Sequence, residues 1–259
     1  ILNILKLKKI KSLGVQHGGK YFIQQDDIYH KDSDYAFCDK FLAYGVSKYF
    51  NHKKYTKNKN NIIDNGCFKS NFLKKSFENL KKNKNKKNIL YVPTSSKFIL
   101  APVMGSIDYN HYEKQSSICK VLNQINFYKV FVKIIPRKDL LEYMPINYDL
   151  KKYKNLSVNF VSLTNAINIL KPKIIITDSL STSIYDLLYT NSEIIIFLDK
   201  NNFPKKDAFS LLSKRVFFVN NHKEMKSAII KLRNNHSTKK TVNEEFIKKF
   251  HLLKKPILQ

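Results

Sequence analysis

The sequence predicts an α/β protein built on Rossmann-type, doubly wound parallel sheets. Strand-like and helix-like segments alternate along the 259 residues. The clearest strands, 173–178 (KIIITD) and 193–199 (EIIIFLD), are continuous β-branched runs rather than alternating ones. Such runs mark parallel strands covered on both faces, with ligands bound beyond their carboxyl ends.

The elements follow in order. Residues 1–11 place Ile1, Ile4 and Leu5 on one side of a short basic helix. Residues 12–16 are a short apolar run into His17-Gly18-Gly19, a strand ending in a glycine turn. Residues 40–45 (KFLAYG) and 61–66 (NIIDNG) repeat a short strand closed by Gly. The lysine-rich stretch 81–88 reads as a linker. Strands then fall at 88–95, 128–135, 156–161, 173–178, 193–199 and 216–220. Helices fall at 109–125, 164–170, 183–190, 208–213 and 222–233. A last helix over 242–253 carries Phe246, Ile247, Phe250 and Leu253 on one side, and either crosses between lobes or caps the second. The chain so divides into a partial first lobe (1–80), the linker (81–88), a second lobe (89–235) and a tail (236–259). Three strands are too few for a Rossmann lobe, so the first lobe is expected to be incomplete, with an exposed apolar edge.

Hydrophobic residues make up 43% of the chain, with 18 Phe and 15 Tyr, so a core can form without Trp. The net charge is +27, yet only Arg137, Arg215 and Arg233 are arginine. Abundant Lys, Asn and Ile are what an AT-rich genome writes at solvated positions. The functional reading is attraction to anionic lipid or to phosphorylated substrates. The shortage of Arg argues against nucleic-acid readout. Cys38, Cys67 and Cys119 are odd in number and far apart, which suggests neither a disulfide framework nor a zinc site. No run approaches the ~20 apolar residues of a membrane span. A cytoplasmic protein, or one held peripherally on the inner face of the membrane, is expected.

The segment with the most chemistry is 171–199. A buried strand ends in Asp178, and Ser179, Ser181, Thr182 and Ser183 follow as a helix begins. That turn offers amides, hydroxyl donors and a helix dipole to an anion, where ordinary N-capping needs one hydroxyl. His17 stands at a strand end before Gly18 and Gly19, with a pKa suited to a general base. Lys133 and Arg137 bring cations to the end of strand 128–135. Thr94-Ser95-Ser96 offers a further phosphate contact.

The pattern Asp178-Ser179-x-Ser181-Thr182, then Asp186-Leu187-Leu188 and a buried strand, resembles the donor-site segment of GT-B transferases. It is closest to the CDP-glycerol glycerophosphotransferases and to the surface-polysaccharide transferases near them. The upstream His17-Gly18-Gly19 is similar to their histidine-glycine element. Ser179-Leu180 replaces their single Tyr, Glu193 their Pro, Gln16 the Trp of the glycerophosphotransferases, and Ile135 the His before their Pro.

That resemblance implies a GT-B-like pair of lobes, the first incomplete. It implies a transferase moving a glycosyl or polyol-phosphate group from a nucleotide-diphosphate donor to a hydroxyl of a bacterial surface glycan. The acceptor is a glycan or polyol, lipid-linked in one version. His17 would deprotonate the acceptor, and Gly18 and Gly19 would line the acceptor or phosphate path. Ser179, Ser181, Thr182, Ser183, Lys133 and Arg137 would hold the donor phosphates, and Asp186 the ribose. No DxD-like pair ends a strand, so no metal is expected for glycosyl transfer, the glycerophosphate version leaving one open, and no cofactor is expected, the donor being a substrate. A GT-B-shaped nucleotide-sugar epimerase, a nucleotide-binding but catalytically incomplete module and a basic nucleic-acid-binding protein remain as alternatives.

Overall fold

The computed structural model describes residues 8–16, 23, 38–45, 62–67, 69–78, 87–94, 107–134, 146–198, 203–234 and 244–251. The first sheet is three parallel strands in order β1-β2-β3: β1 (Leu13–Val15), β2 (Lys40–Ala43) and β3 (Ile62–Asp64). Ser12 ties the start of β1 to that of β2, its N–H and hydroxyl donating to Asp39 Oδ2 at 2.7 and 2.9 Å. Gly14 is required by closeness, because a Cβ there would lie 2.8 Å from Cys38 Sγ and from Phe41. Ile10, Leu13 and Val15 are half-exposed, so β1 shows solvent an apolar edge. Helix α1 (Lys69–Glu78) follows β3 and buries Leu73 and Phe77, one turn apart.

The second sheet has six parallel strands: β4 (Asn88–Val92), β5 (Lys129–Lys133), β6 (Leu156–Asn159), β7 (Ile174–Thr177), β8 (Glu193–Phe197) and β9 (Val216–Val219). Their order is β6-β5-β4-β7-β8-β9. The chain starts mid-sheet, winds to one edge, returns and winds to the other. The reversal falls between β4 and β7, the place where ligands bind on such sheets.

Alternate residues of each strand face opposite sides. Ile89, Tyr91, Val130, Val132, Ile174, Ile176 and Ile195 share a cluster with Ile118 and Leu122 of α2 (Ile107–Asn123) and Met225 and Ile229 of α7 (His222–Asn234). Ile146 and Leu150 of the short α3 (Ile146–Leu150) join them. Leu90, Val92, Ile175, Ile194 and Ile196 pack on the other face with α4 (Leu163–Leu170), α5 (Ser183–Leu188) and α6 (Lys206–Ser213). Both faces are buried, so both strand registers must be apolar. Truncating a central residue such as Ile176 to Ala costs about 2–5 kcal/mol.

The helix ends are cut by local chemistry. Ser162 caps α4, accepting from Asn165 N at 3.3 Å, and Lys171 ends it at φ 44°, just before Pro172. At α7, Asn221 accepts from Glu224 N at 2.9 Å while Glu224 accepts from Asn220 N at 2.8 Å, a reciprocal cap. Arg215 is buried and donates to the carbonyls of Thr190 and Ser192 at 2.8 and 2.7 Å, pinning the turn between α5 and β8.

One cluster joins the two sheets: Phe41, Ala43, Ile62, Leu73 and Phe77 meet Ile167, Tyr185 and Leu188. Helix α8 (Glu244–Phe250) packs Phe246, Ile247 and Phe250 onto it, and Lys249 pairs with Asp207 of α6 at 2.6 Å. His251, just beyond α8, is buried, stacked on Tyr185 at 4.1 Å and edge-on to Tyr44 at 5.7 Å. Burial lowers its pKa to about 3, with the Lys69 charge adding to the effect. The tail therefore packs on the second sheet's helices and touches the end of β2.

The structure departs from the sequence expectations at three places. Lys8 to Lys11 is a turn and coil rather than helix, with Lys9 at φ 55° and Ile10 half-exposed, so no apolar stripe is buried there; residues 1–7 lie outside the described set. Helices α1 and α3 stand where no element was expected. Residues 81–86 of the expected linker also lie outside the described residues.

Candidate functional site at the switch point of the second sheet

The carboxyl ends of β4 and β7 lie side by side, Val92 being in register with Thr177. Both strands exit into short polar segments, and the Asp178 carboxylate joins them. It is fully buried and accepts four hydrogen bonds: Thr94 N at 2.7 Å, Thr94 Oγ1 at 2.6 Å, Gln115 Nε2 at 2.9 Å and Tyr91 Oη at 3.2 Å. Gln115 also donates to the Thr94 carbonyl at 2.8 Å. Burial, with the Asp178 charge next, raises the Tyr91 pKa well above its ordinary value, so this phenol stays a donor. Lys114 reaches over from α2 and donates to the Asp178 carbonyl at 2.9 Å.

The hydroxyl loop follows. Ser179 is fully buried, its carbonyl accepting from Thr177 Oγ1 at 3.2 Å and its Oγ bonded to Thr94 Oγ1. It shapes the loop from below and does not face solvent, and the Thr94 amide and hydroxyl are held by Asp178 and Ser179. Thr182 is exposed, and Ser181 and Ser183 are half-buried with their Oγ atoms 2.6 Å apart. These three hydroxyls form the accessible rim. The amides of Ile184 and Tyr185 already donate to the carbonyls of Ser181 and Thr182, at 3.1 and 3.3 Å. The rim therefore offers side-chain hydroxyls more than helix amides.

Asp186 is buried and paired to Lys69 of α1 at 2.7 Å, so the structure commits one carboxylate oxygen to a cation rather than leaving both open to a ribose. Burial raises its pKa, and the Lys69 hydrogen bond and charge oppose that rise. Lys133 ends β5 on the Val92–Thr177 face, since Val130 and Val132 face the other way. It is 9% exposed, and no carboxylate pairs with it among the described residues. Burial lowers its pKa. A buried ammonium without an anion is costly, and an anionic ligand would offset that cost.

The structure thus gathers Lys133, Ser181, Thr182 and Ser183 about the ends of β5, β4 and β7. Asp186 sits behind the rim, in α5. His17, Gly18, Gly19, Arg137, Ser95 and Ser96 lie outside the described residues. Gln16, which precedes His17, is buried at the end of β1, and its Oε1 accepts from Tyr44 N at 2.8 Å. The sequence reading did not find Tyr91, Gln115, Lys114 or Lys69. Each stands far along the chain from the residue it serves and carries no local motif.

The comparisons with known proteins agree with this frame. The chain is similar to an S. aureus MnaA–UDP structure, with TM-score 0.57, 11% identity, and coverage of 97% of this chain and 72% of that one. It is similar to a structure described as a UDP-N-acetylglucosamine 2-epimerase from Listeria monocytogenes, with TM-score 0.52, 10% identity and coverage of 95% and 64%. A sucrose-phosphate synthase from Thermosynechococcus elongatus gives TM-score 0.52, 11% identity and coverage of 89% and 61%. The chain spans about two-thirds of the length of these structures. At such identities the likeness is one of fold: parallel sheets with helices, of the GT-B type. No curated protein matches the sequence. The profile of the LIC12162 family transferases matches residues 3–247, nearly the whole chain, and the protein belongs to that family.

Proposed function

We propose that this chain is the donor-binding part of a transferase that moves a glycosyl or polyol-phosphate group from a nucleotide-activated donor to a hydroxyl of a bacterial surface glycan. The observation that carries the reading is Lys133, a buried ammonium without a carboxylate among the described residues, at the carboxyl end of β5, on the same end of the sheet as the loop that carries Ser181, Thr182 and Ser183 after β7. Family membership supports transfer chemistry, and the fold supports a nucleotide donor, because the MnaA structure that this chain resembles holds UDP.

In this reading the donor diphosphate lies on Ser181, Thr182 and Ser183, with Lys133 and Arg137 as cations. Asp186 exchanges Lys69 for a ribose hydroxyl. The acceptor oxygen attacks the transferred group as His17 takes its proton. The bond to the leaving nucleotide breaks, and its electron pair stays on the phosphate oxygen, where hydroxyls and ammonium groups stabilise it. Among the described residues no helix is long and apolar enough to cross a membrane. The excess of lysine suits a cytoplasmic enzyme that meets an anionic inner membrane face where lipid-linked acceptors lie.

The test is a thermal-shift panel of CDP-, UDP-, GDP- and CMP-linked donors. A ligand that binds only the native state raises Tm, by an amount set by about 4 kcal/mol at a thousandfold excess over Kd. A raised Tm that Ser181→Ala with Thr182→Ala largely removes is the expected result; no shift with any donor rejects the reading. The fold likeness to a 2-epimerase favours a second reading, in which the same site acts on its nucleotide sugar without an acceptor. Product analysis separates them, as elongated glycan or as free epimer.

A further inference from the structure

The amino ends of the second sheet's strands form the face opposite the candidate site, and helices that return to it end there. Asn88, at the start of β4, donates through Nδ2 to the Leu170 carbonyl at the end of α4, at 2.6 Å. Lys173, just before β7, donates through Nζ to the Arg233 carbonyl near the end of α7, at 3.4 Å. Lys129 N meets the Lys87 carbonyl at 3.0 Å, and Lys173 N the Asn88 carbonyl at 2.8 Å. Lys87, Lys129, Lys173 and Arg233 therefore lie side by side, and none pairs with a carboxylate among the described residues. Of the acids near this end, Asp149 and Glu245 are taken by Lys152 and Lys214, and Glu193 is half-buried. Asp178, Asp186, Asp207 and Glu224 stand at the other end of the sheet. A lysine-rich genome would spread its cations over both ends. Helix dipoles favour cations at helix carboxyl ends, such as Lys171 and Arg233. They do not account for Lys87, Lys129 and Lys173, which precede strands, where the net dipole is small.

Two large apolar side chains stand among these cations. Ile169, two residues before Lys171, is 65% exposed, and Ile230, one turn before Arg233, is 42% exposed. An anionic bilayer attracts the first kind of group and admits the second. We propose that this face docks on an anionic phospholipid surface, with Ile169 and Ile230 entering the head-group region. The inference rests on reading the chain as a transferase at an anionic membrane, and it narrows the acceptor. The strands point away from the bilayer, and the site opens beyond the five residues of β4, about 16 Å of strand. That height suits the free end of an extended lipid-linked glycan rather than a lipid head group.

The test is co-sedimentation of the full chain with vesicles of phosphatidylglycerol and phosphatidylcholine, and with vesicles of phosphatidylcholine alone. Only the anionic vesicles are expected to bind. Lys87→Gln with Lys129→Gln should weaken that binding about tenfold or more, since each cation near such a surface contributes about fivefold. Lys74→Gln with Lys75→Gln, an equal change of charge at exposed positions of α1, should weaken it no more than about threefold, because charges beyond about 10 Å of the surface are screened. Equal losses in the two pairs would make net charge the cause and overturn the proposal, as would equal binding to both kinds of vesicle. The chain has no tryptophan, so Ile169→Trp and Ile230→Trp each give a lone reporter. On anionic vesicles their emission should shift to the blue and be quenched by brominated lipid. Phe72→Trp, at an exposed position of α1, should not respond. Unchanged emission from Ile169→Trp and Ile230→Trp overturns the docking. Single-stranded DNA bound through Lys87 and Lys129, with no vesicle bound, would give the face to nucleic acid and overturn it too. Donor titrations beside these separate the two readings. Docking through this face with no donor bound keeps the face and removes the transferase reading, and donor binding without docking removes this inference alone.

Discussion

Removing the Asp178 carboxylate would leave the Thr94 N–H and the Tyr91 phenol without their acceptor in a buried place, and would take one of two partners from the Thr94 hydroxyl and the Gln115 amide. Unmade buried hydrogen bonds cost about 1–3 kcal/mol each, so Asp178→Ala should lose about 3 kcal/mol or more, allowing for relaxation. Urea unfolding would show it as a lower midpoint at unchanged m, and a parent-like midpoint would contradict the keystone role. Lys133 makes a prediction of a different kind. Burial holds its pKa below the ordinary lysine range, and a bound anion would raise it again. Donor affinity should then be full below the depressed pKa and fall as pH rises through it, since binding there must take up a proton. Lys133→Met should weaken donor binding about tenfold and abolish this alkaline loss. An unchanged alkaline profile in titrations of the variant would show that another group titrates.

Helix α4 shows how an element ends where the sequence is not ideal for it. Lys171 occupies the left-handed cap position, at φ 44° and ψ 56°, and its amide bonds to the Ile167 carbonyl. That conformation costs an L-residue about 1–2 kcal/mol, and Gly adopts it without a Cβ clash. Lys171 is exposed, so little packing is lost on replacement. Lys171→Gly should therefore gain about 0.5–1 kcal/mol, after the larger chain entropy of Gly in the unfolded state. A thermal melt of the variant would show a small rise in Tm, and a fall would mean that the Lys171 side chain contributes more than its exposure implies.

At the scale of the molecule, the seam between the sheets joins an aromatic and apolar cluster to the Lys69–Asp186 pair and the buried imidazole of His251. His251 is held neutral, its pKa lowered to about 3, while in the unfolded chain it titrates near its ordinary value of 6.5. The unfolded state then binds the extra proton between these limits. The stability contributed by the neutral ring is complete above pH 6.5 and is lost as pH falls toward 3, with a slope of about 1.4 kcal/mol per pH unit. His251→Phe keeps a ring on Tyr185 and removes the proton site. It should unfold with a flatter pH dependence than the parent between pH 6.5 and 4. Equal slopes in denaturant titrations across that range would place the acid sensitivity elsewhere.

The sequence by itself determined the strand and helix order of the second sheet and its parallel, doubly wound character. Strands buried on both faces must be apolar throughout, and 173–178 and 193–199 carry that record locally. It also marked the strand-end loop at 179–183, because clustered hydroxyls are visible without partners. It did not show α1, which among the described side chains buries Leu73 and Phe77 and which gains its stability from packing against other elements. Nor could it show that Ser179 is buried, that Asp186 pairs with Lys69, or that Asp178 collects donors from residues 91, 94 and 115. Those facts depend on which side chains the folded chain brings within hydrogen-bond distance across 63 to 117 residues of sequence separation. Pairing over such distances is decided by tertiary packing and by the cost of burying charge, neither of which leaves a local pattern.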